Sequence, residues 1–130
     1  MNTTALILCA GLGTRLRPLT YFVPKPALKF DRLSIVERTL INLFLEGINR
    51  VFVNLHHLPE KVKSSMTFPV TNLYESILLE TAGSVRKYAE YFSDPFLVIN
   101  GDTIYTDFYF NGILNFHKKS NVLATVFTKD

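Results

Sequence analysis

Two closely spaced glycines directly after a short apolar run constrain the fold of this chain more than any other feature. The run from Ala5 to Leu8 is typical of a buried strand, and Gly11 and Gly13 follow it. Glycine permits the positive φ values that turn successive N–H groups inward, and it lets a bulky anion approach the backbone closely. Positive charge follows in the same stretch, at Arg15, Arg17 and Lys25. This combination indicates a turn that binds a polyphosphate.

Two common phosphate-binding motifs do not match this stretch. The dinucleotide fingerprint fails because its last glycine is missing and Arg17 and Pro18 stand where its helix would continue, and the Walker motif needs a Gly-Lys-Ser/Thr sequence that does not occur. A glycine pair alone is more often a structural turn. The whole pattern, A-G-x-G-T-R-L-x-P-L-T followed by P-K-P-A-L, resembles the signature of the sugar-1-phosphate nucleotidyltransferases over about twenty positions.

Apolar periodicity predicts strands that alternate with helices along the chain. The predicted strands are Ala5–Cys9, Arg50–Leu55, Val70–Tyr74, Pro95–Ile99 and Val122–Thr128. The first predicted helix begins after a capping box of Ser34 and Glu37 and ends at Gly47. Three further helices are predicted at Pro59–Met66, at Gly83–Phe92 with Thr81 as its cap, and at Phe108–Lys119 with Ile113, Leu114 and Phe116 inward. This alternation predicts one domain with an open, mostly parallel, Rossmann-like α/β sheet flanked by helices.

Polar residues are predicted at one edge of that sheet. In open α/β sheets ligands bind beyond the carboxyl ends of the strands. The glycine turn, Asn54–His57 and Asn100–Asp102 each follow a predicted strand and should meet there. Adjacent residues on extended backbone point to opposite sides, so His56 and His57 are not expected to share one metal ion.

Composition excludes several classes of partner. The 130 residues include 14 lysines and arginines against 11 acidic residues, a net charge of +3 without a long basic run, so we expect no nucleic-acid partner. Cys9 is the only cysteine, which rules out an internal disulfide, and we interpret it as a buried, inert thiol. No stretch resembles a signal peptide or a membrane span, so we expect a cytoplasmic protein that does not contact a membrane.

The family resemblance implies roles at the phosphate end of the site. It implies that the nucleotide lies on the backbone of the glycine turn, at Ala10, Gly11, Leu12, Gly13 and Thr14. Arg15 would offset charge on the leaving pyrophosphate, and Lys25 would bind the α-phosphate or the attacking phosphate. V-I-N-G-D-T looks like the family's metal-binding motif, which makes Asp102 a Mg²⁺ ligand. The residues alone favour an ordinary Asn-Gly-Asp turn, in which Asp102 caps local backbone.

The resemblance also implies a base-binding segment. In the family a segment similar to L-x-T-A-G lies against the nucleotide base, and Glu80-Thr81-Ala82-Gly83 matches it. Ala82 and Gly83 would bring the backbone to the base, and Glu75 or Glu80 would accept a hydrogen bond from a guanine or uracil N–H. V-N-L-H-H-L-P-E resembles the corresponding stretch of muramic-acid and mannose-type members.

The implied reaction transfers a nucleoside monophosphate from a nucleoside triphosphate to a sugar 1-phosphate and releases pyrophosphate. Residues 1–130 resemble only the first, nucleotide-binding half of the family's domain, without the sugar-binding half. Two alternatives therefore stay open: a triphosphate-binding module without catalysis, and an unrelated dinucleotide-binding oxidoreductase domain. An exposed final strand would favour association, so we expect a homo-oligomer.

Overall fold

Four parallel strands in the order β5-β4-β1-β6 form the central sheet in a computed structural model, which describes residues 2–128. The strands are β1 (Thr4–Leu8), β2 (Lys29–Phe30), β3 (Leu33–Ser34), β4 (Arg50–Leu55), β5 (Thr71–Tyr74) and β6 (Leu97–Asn100), with β2 and β3 forming a separate antiparallel pair. The helices are α1 (Ile35–Leu45), α2 (Pro59–Ser64), α3 (Glu80–Tyr88) and α4 (Phe110–Ser120). The predicted fold class is confirmed.

Side chains alternate between the two faces of the sheet, because successive residues of a strand point to opposite sides. Ala5 and Ile7 of β1 face a core that also contains the buried residues of α1 and α4. Leu6 faces the other way, into a smaller cluster with Tyr88 of α3. The sheet is thus covered by α1 and α4 on one face and by α3 on the other.

Helix α1 begins and ends where the sequence predicts, but only half of its predicted capping box forms. Ser34 Oγ accepts a hydrogen bond from the Glu37 N–H at 3.1 Å, as a cap should. The Glu37 carboxylate does not complete the predicted capping box, because it accepts from the Thr67 N–H instead, at 3.1 and 3.2 Å. At the other end Gly47 has a φ of +79°, and the Ile48 N–H donates to the Leu43 carbonyl at 2.9 Å.

The predicted strand Val122–Thr128 is wrong. This segment is irregular, and the side chains of Leu123 and Val126 are almost fully exposed. A strand needs a neighbour to satisfy its backbone N–H and C=O groups. Within residues 2–128 no strand pairs with β6 except β1, so this segment has none of the pairing that would extend it.

Two helix details also differ from the prediction. Helix α3 begins at Glu80, so Thr81 lies inside the helix and does not cap it. Phe116 is 62% exposed, not inward. Phe110 and Leu114 are four residues apart and share the buried face of α4, whereas a residue two positions after Leu114 lies on the opposite side of a helix.

The order of the strands creates a crevice at one end of the sheet. The chain passes from β1 to β4 on one side of β1 and later returns to β6 on the other side. Ligands of open α/β sheets bind at such a reversal, beyond the carboxyl ends of the strands. Among the helices within residues 2–128, none is long and apolar enough to cross a membrane.

Candidate functional site

A pocket of about 280 Å³ lies at the carboxyl ends of β1, β4 and β6. All three segments predicted to meet at this edge contribute to its walls, so their convergence is confirmed. The residues that line it are Leu8, Cys9, Ala10, Gly11, Gly13, Lys25, Pro26, Asn54, Leu78, Glu80, Thr81, Asn100 and Asp102.

Two opposite charges face each other in this pocket. Lys25 Nζ lies 3.6 Å from Asp102 Oδ2. Lys25 begins a short 3₁₀ turn, Lys25–Ala27, that follows the extended Pro24, and Asp102 follows β6. The Lys25 side chain is 25% exposed and that of Asp102 is 44% exposed. Both groups are therefore accessible to a ligand that enters the pocket.

Asp102 is placed by a glycine that has no room for a side chain. The Gly101 N–H donates to the Leu8 carbonyl oxygen at 3.0 Å and so continues the pairing of β6 with β1. A Cβ at Gly101 would lie 2.5 Å from Cys9 Sγ and 2.6 Å from the Leu8 oxygen. The backbone before Asp102 is therefore packed directly on the end of β1.

The glycine turn presents free backbone donors. No residue within 2–128 accepts a hydrogen bond from the N–H groups of Gly11, Leu12, Gly13 or Thr14. Gly13 has the expected positive φ of +65°, whereas Gly11 does not have one. A Cβ at Gly11 would meet no atom within 4 Å, so the protein itself leaves this position open. Thr14 begins a 3₁₀ turn that no side chain caps.

Several predicted site residues lie at or beyond the edge of the pocket. Leu12, Thr14, Ala82 and Gly83 are not among its lining residues, although each lies within two residues of one in the sequence. Arg15 is exposed and also lies outside the lining. The Arg17 guanidinium stacks on the Tyr21 ring at 4.8 Å from its centre. Lys25 is thus the one cation among the lining residues within 2–128.

Asn54 lines the pocket and belongs to a buried polar network, although the sequence analysis predicted only its position at this edge. Its Oδ1 accepts from the Cys9 N–H at 2.7 Å, and its Nδ2 donates to Ser84 Oγ at 3.1 Å and to Glu75 Oε2 at 3.4 Å. Ser84 Oγ donates to the same Glu75 oxygen at 2.6 Å. In the sequence, the only sign of this network is a polar residue next to the apolar run Val51–Val53.

Glu75 lies behind the pocket, where its side chain is only 3% exposed, and it is not among the lining residues. Its carboxylate holds Ser84 and Asn54, while Glu80 lines the pocket wall. Of the two carboxylates predicted to contact a base, the structure therefore places Glu80 in the pocket wall and Glu75 in the layer behind it.

The two adjacent histidines bond in different directions, as predicted from their spacing. His56 Nδ1 lies 2.7 Å from the Glu75 carbonyl oxygen, and His57 Nε2 lies 2.5 Å from that of Thr20. Each ring nitrogen must carry a hydrogen to donate to its carbonyl. Among the described residues, no group of three or more His, Cys, Asp or Glu side chains could hold a metal ion.

Comparison with known proteins identifies the family. Residues 4–130 match the family model described as nucleotidyl transferase. The chain belongs to this family. A UTP–glucose-1-phosphate uridylyltransferase from Synechocystis sp. is 32% identical over 143 residues, which cover 96% of this chain. A probable mannose-1-phosphate guanylyltransferase 1 from Oryza sativa subsp. japonica is 34% identical over 133 residues, which cover 94% of it. The predicted family is thus confirmed.

Solved structures share the fold of this nucleotidyl transferase chain. The CTP:phosphocholine cytidylyltransferase LicC from Streptococcus pneumoniae matches with a TM-score of 0.74 and 26% identity over 86% of this chain and 50% of that one. HddC from Yersinia pseudotuberculosis, complexed with GMP-PN, matches with a TM-score of 0.68 and 28% identity over 78% and 48% of the two chains. The nucleotidyl transferase chain spans 37% of the length of the two curated relatives named above.

The single thiol of this nucleotidyl transferase chain is predicted to make its stability depend on alkaline pH. Burial, together with the nearby Asp102 charge, raises the pKa of Cys9. The unfolded thiol ionises near pH 8.5, so above that pH the folded state binds more protons than the unfolded state. The free energy of unfolding therefore falls as the pH rises above about 8.5, because ionisation of the thiol stabilises only the unfolded state. Between pH 7.5 and 9.5 we expect urea unfolding to show about 1 kcal/mol more loss in the wild type than in Cys9→Ala. Equal losses would contradict a buried neutral thiol.

Proposed function

We propose that this chain is the nucleotide-binding half of a nucleotidyltransferase domain, and that the complete domain transfers a nucleoside monophosphate from a triphosphate to a sugar 1-phosphate. The observation that carries the proposal is the 3.6 Å approach of Lys25 and Asp102 beside the free N–H groups of Gly11–Thr14. Backbone donors, a cation and a carboxylate at one point are the groups that a metal-bound polyphosphate needs.

The chemistry requires positioning and charge neutralisation. The sugar phosphate oxygen attacks the α-phosphorus and pyrophosphate leaves, so two polyanions must be brought together in line. In the proposal Ala10 and the N–H groups of Gly11–Thr14 hold the phosphates, and Lys25 offsets charge that develops in the transition state. Arg15 follows directly on this turn, and its long exposed side chain is assigned to the leaving pyrophosphate.

The proposed metal is Mg²⁺, held by Asp102. The residues present fit this ion, because Mg²⁺ usually binds through one or two carboxylates plus substrate phosphates and not through an all-protein cage. Asp102 offers one accessible carboxylate. Within residues 2–128 no cluster of three or more His, Cys, Asp or Glu side chains could form an all-protein metal site. When bound, the ion would neutralise phosphate charge and fix phosphate geometry.

The proposed base subsite is the wall made by Leu8, Leu78, Glu80 and Thr81. The two leucines offer apolar contact to a planar base, and Glu80 offers a hydrogen-bond acceptor. The backbone of Ala82 and Gly83 continues this wall at the start of α3. In the proposal Glu75 acts through Ser84 and Asn54.

One experiment separates the proposal from the alternative of triphosphate binding without catalysis. GTP, UTP, CTP and dTTP are titrated calorimetrically into this chain with Mg²⁺, and pyrophosphate release by the complete domain is then measured with glucose 1-phosphate and mannose 1-phosphate. We expect at least one triphosphate to bind at least tenfold more tightly than NAD. Pyrophosphate release would support the enzyme, and binding without release would favour the alternative, which the half-length match to solved structures keeps open. A preference for NAD would contradict both.

The cellular location and the binding partners of the protein are part of the same proposal. A reducing cytoplasm suits an unpaired buried cysteine, and a triphosphate and a sugar phosphate, not a nucleic acid or a membrane, are the proposed partners. Homo-oligomer formation is proposed from the exposed apolar side chains of Phe116, Leu123, Val126 and Phe127, because such patches favour association.

A further inference from the structure

A chain of two hydrogen bonds links β4 to the glycine turn. His57, two residues beyond β4, donates from Nε2 to the Thr20 carbonyl oxygen at 2.5 Å. Thr20 Oγ1 donates in turn to the Gly13 carbonyl oxygen at 2.6 Å. Through Thr20, the rigid end of a sheet strand is therefore connected to the loop that lines the pocket.

Thr20 is the buried anchor of an otherwise exposed loop. It is 1% exposed, whereas its neighbours Leu19, Tyr21 and Phe22 are 48%, 54% and 67% exposed. The Thr20 side chain also lies against Gly13, since a Cβ there would come within 2.8 Å of Thr20 Cγ2. Contact and hydrogen bond together fix Gly13 on Thr20.

This arrangement sets the direction of a free donor. The Gly13 carbonyl oxygen accepts from both Thr20 Oγ1 and the Leu16 N–H, the latter at 3.1 Å, so the plane of the Gly13–Thr14 peptide is fixed. In a planar trans peptide the N–H points opposite to the C=O. The Thr14 N–H is therefore held pointing away from Thr20, and no residue within 2–128 accepts from it.

We propose that His57 is a positioning residue for phosphate binding, which acts through Thr20 on the N–H groups of the glycine turn. The inference rests on the proposed function of that turn. His57 does not line the pocket and touches no phosphate in this scheme. Its neighbour His56 bonds to the Glu75 carbonyl instead and has no link to the turn, which makes it a matched control.

The test measures the two parts of the nucleotide separately. The triphosphate that binds the wild type most tightly, taken from GTP, UTP, CTP and dTTP, and its nucleoside are titrated with Mg²⁺ present. For His57→Ala we expect about tenfold weaker triphosphate binding, the size of one or two lost hydrogen bonds, with nucleoside binding unchanged. His57→Gln, which keeps a donor, should restore most of the affinity, and His56→Ala should leave the ratio of the two affinities unchanged.

Thr20→Val provides a second route, because it keeps the packing against Gly13 and removes only the hydroxyl donor. It should lower triphosphate affinity like His57→Ala, while Thr20→Ser should not. If His57→Ala weakens both ligands equally, or if His56→Ala gives the same phosphate-specific loss, the positioning role is wrong while the proposed function stands. A wild type that binds triphosphate no better than nucleoside would overturn the proposed function and this inference together.

Discussion

Lys25→Ala is expected to reduce turnover of the complete domain a hundredfold or more and to weaken triphosphate binding by this chain at least tenfold. Lys25 is the cation that lines the pocket within residues 2–128, 3.6 Å from the Asp102 carboxylate. Loss of one preorganised charge donor at developing negative charge typically costs about two to three orders of magnitude in rate. Pyrophosphate release reports the first effect, and calorimetric titration with Mg²⁺ reports the second.

The matched control is Lys29→Ala. Lys29 lies in β2, close in sequence to Lys25, is exposed, and does not line the pocket. The two variants lose the same net charge, so a long-range electrostatic effect would appear in both. Asp102→Asn should abolish the dependence of binding on Mg²⁺ and leave the packing beneath it intact. Equal behaviour of Lys25→Ala and wild type would remove the basis for the phosphate site.

Gly101→Ala is expected to destabilise the fold by about 3 kcal/mol and to displace Asp102. The added methyl group would meet Cys9 Sγ at 2.5 Å and the Leu8 oxygen at 2.6 Å, and overpacking of this kind typically costs about 1 to 3 kcal/mol. The Leu8 oxygen belongs to the backbone of the central strand and cannot move without disturbing the sheet. Urea unfolding measures the loss of stability, and triphosphate titration below the transition measures the displacement.

Gly11→Ala makes the opposite prediction at a glycine of the same pocket. A Cβ there would meet nothing within 4 Å, and its φ is not in the left-handed region. We therefore expect the free energy of unfolding to change by less than about 0.5 kcal/mol, whereas triphosphate binding should weaken because the methyl group stands where the anion approaches. If Gly11→Ala were the less stable of the two variants, the packing described for Gly101 would be wrong.

Much of the fold was predictable because apolar periodicity indicates which residues are buried, and glycine indicates where a helix ends. The apolar run Arg50–Leu55 is a strand with the predicted bounds, and Gly47 ends α1 where expected. The segment Val122–Thr128 has the same apolar, β-branched character but no neighbouring strand within the described residues. A local pattern cannot reveal whether a pairing partner is present.

The site was predictable at the level of segments, since parallel strands share an edge, but not at the level of individual contacts. Glu75 and Glu80 have the same sign of charge and lie five residues apart, yet Glu75 is buried directly after β5 whereas Glu80, at the start of α3, lines the pocket. Thr20 gave no signal at all, because its role depends on the path of the loop between Gly13 and Lys25. Contacts of this kind form only when segments that are distant in the sequence pack together, so local sequence patterns do not reveal them.

The Lys25–Asp102 pair has a consequence for the cost of ligand binding. Each charge already has a counterion, so neither group waits in the pocket as a bare ion. A magnesium–triphosphate complex would bring a cation for Asp102 and an anion for Lys25 at the same moment. Binding then becomes an exchange of partners between ion pairs, in which neither side chain passes through an uncompensated state.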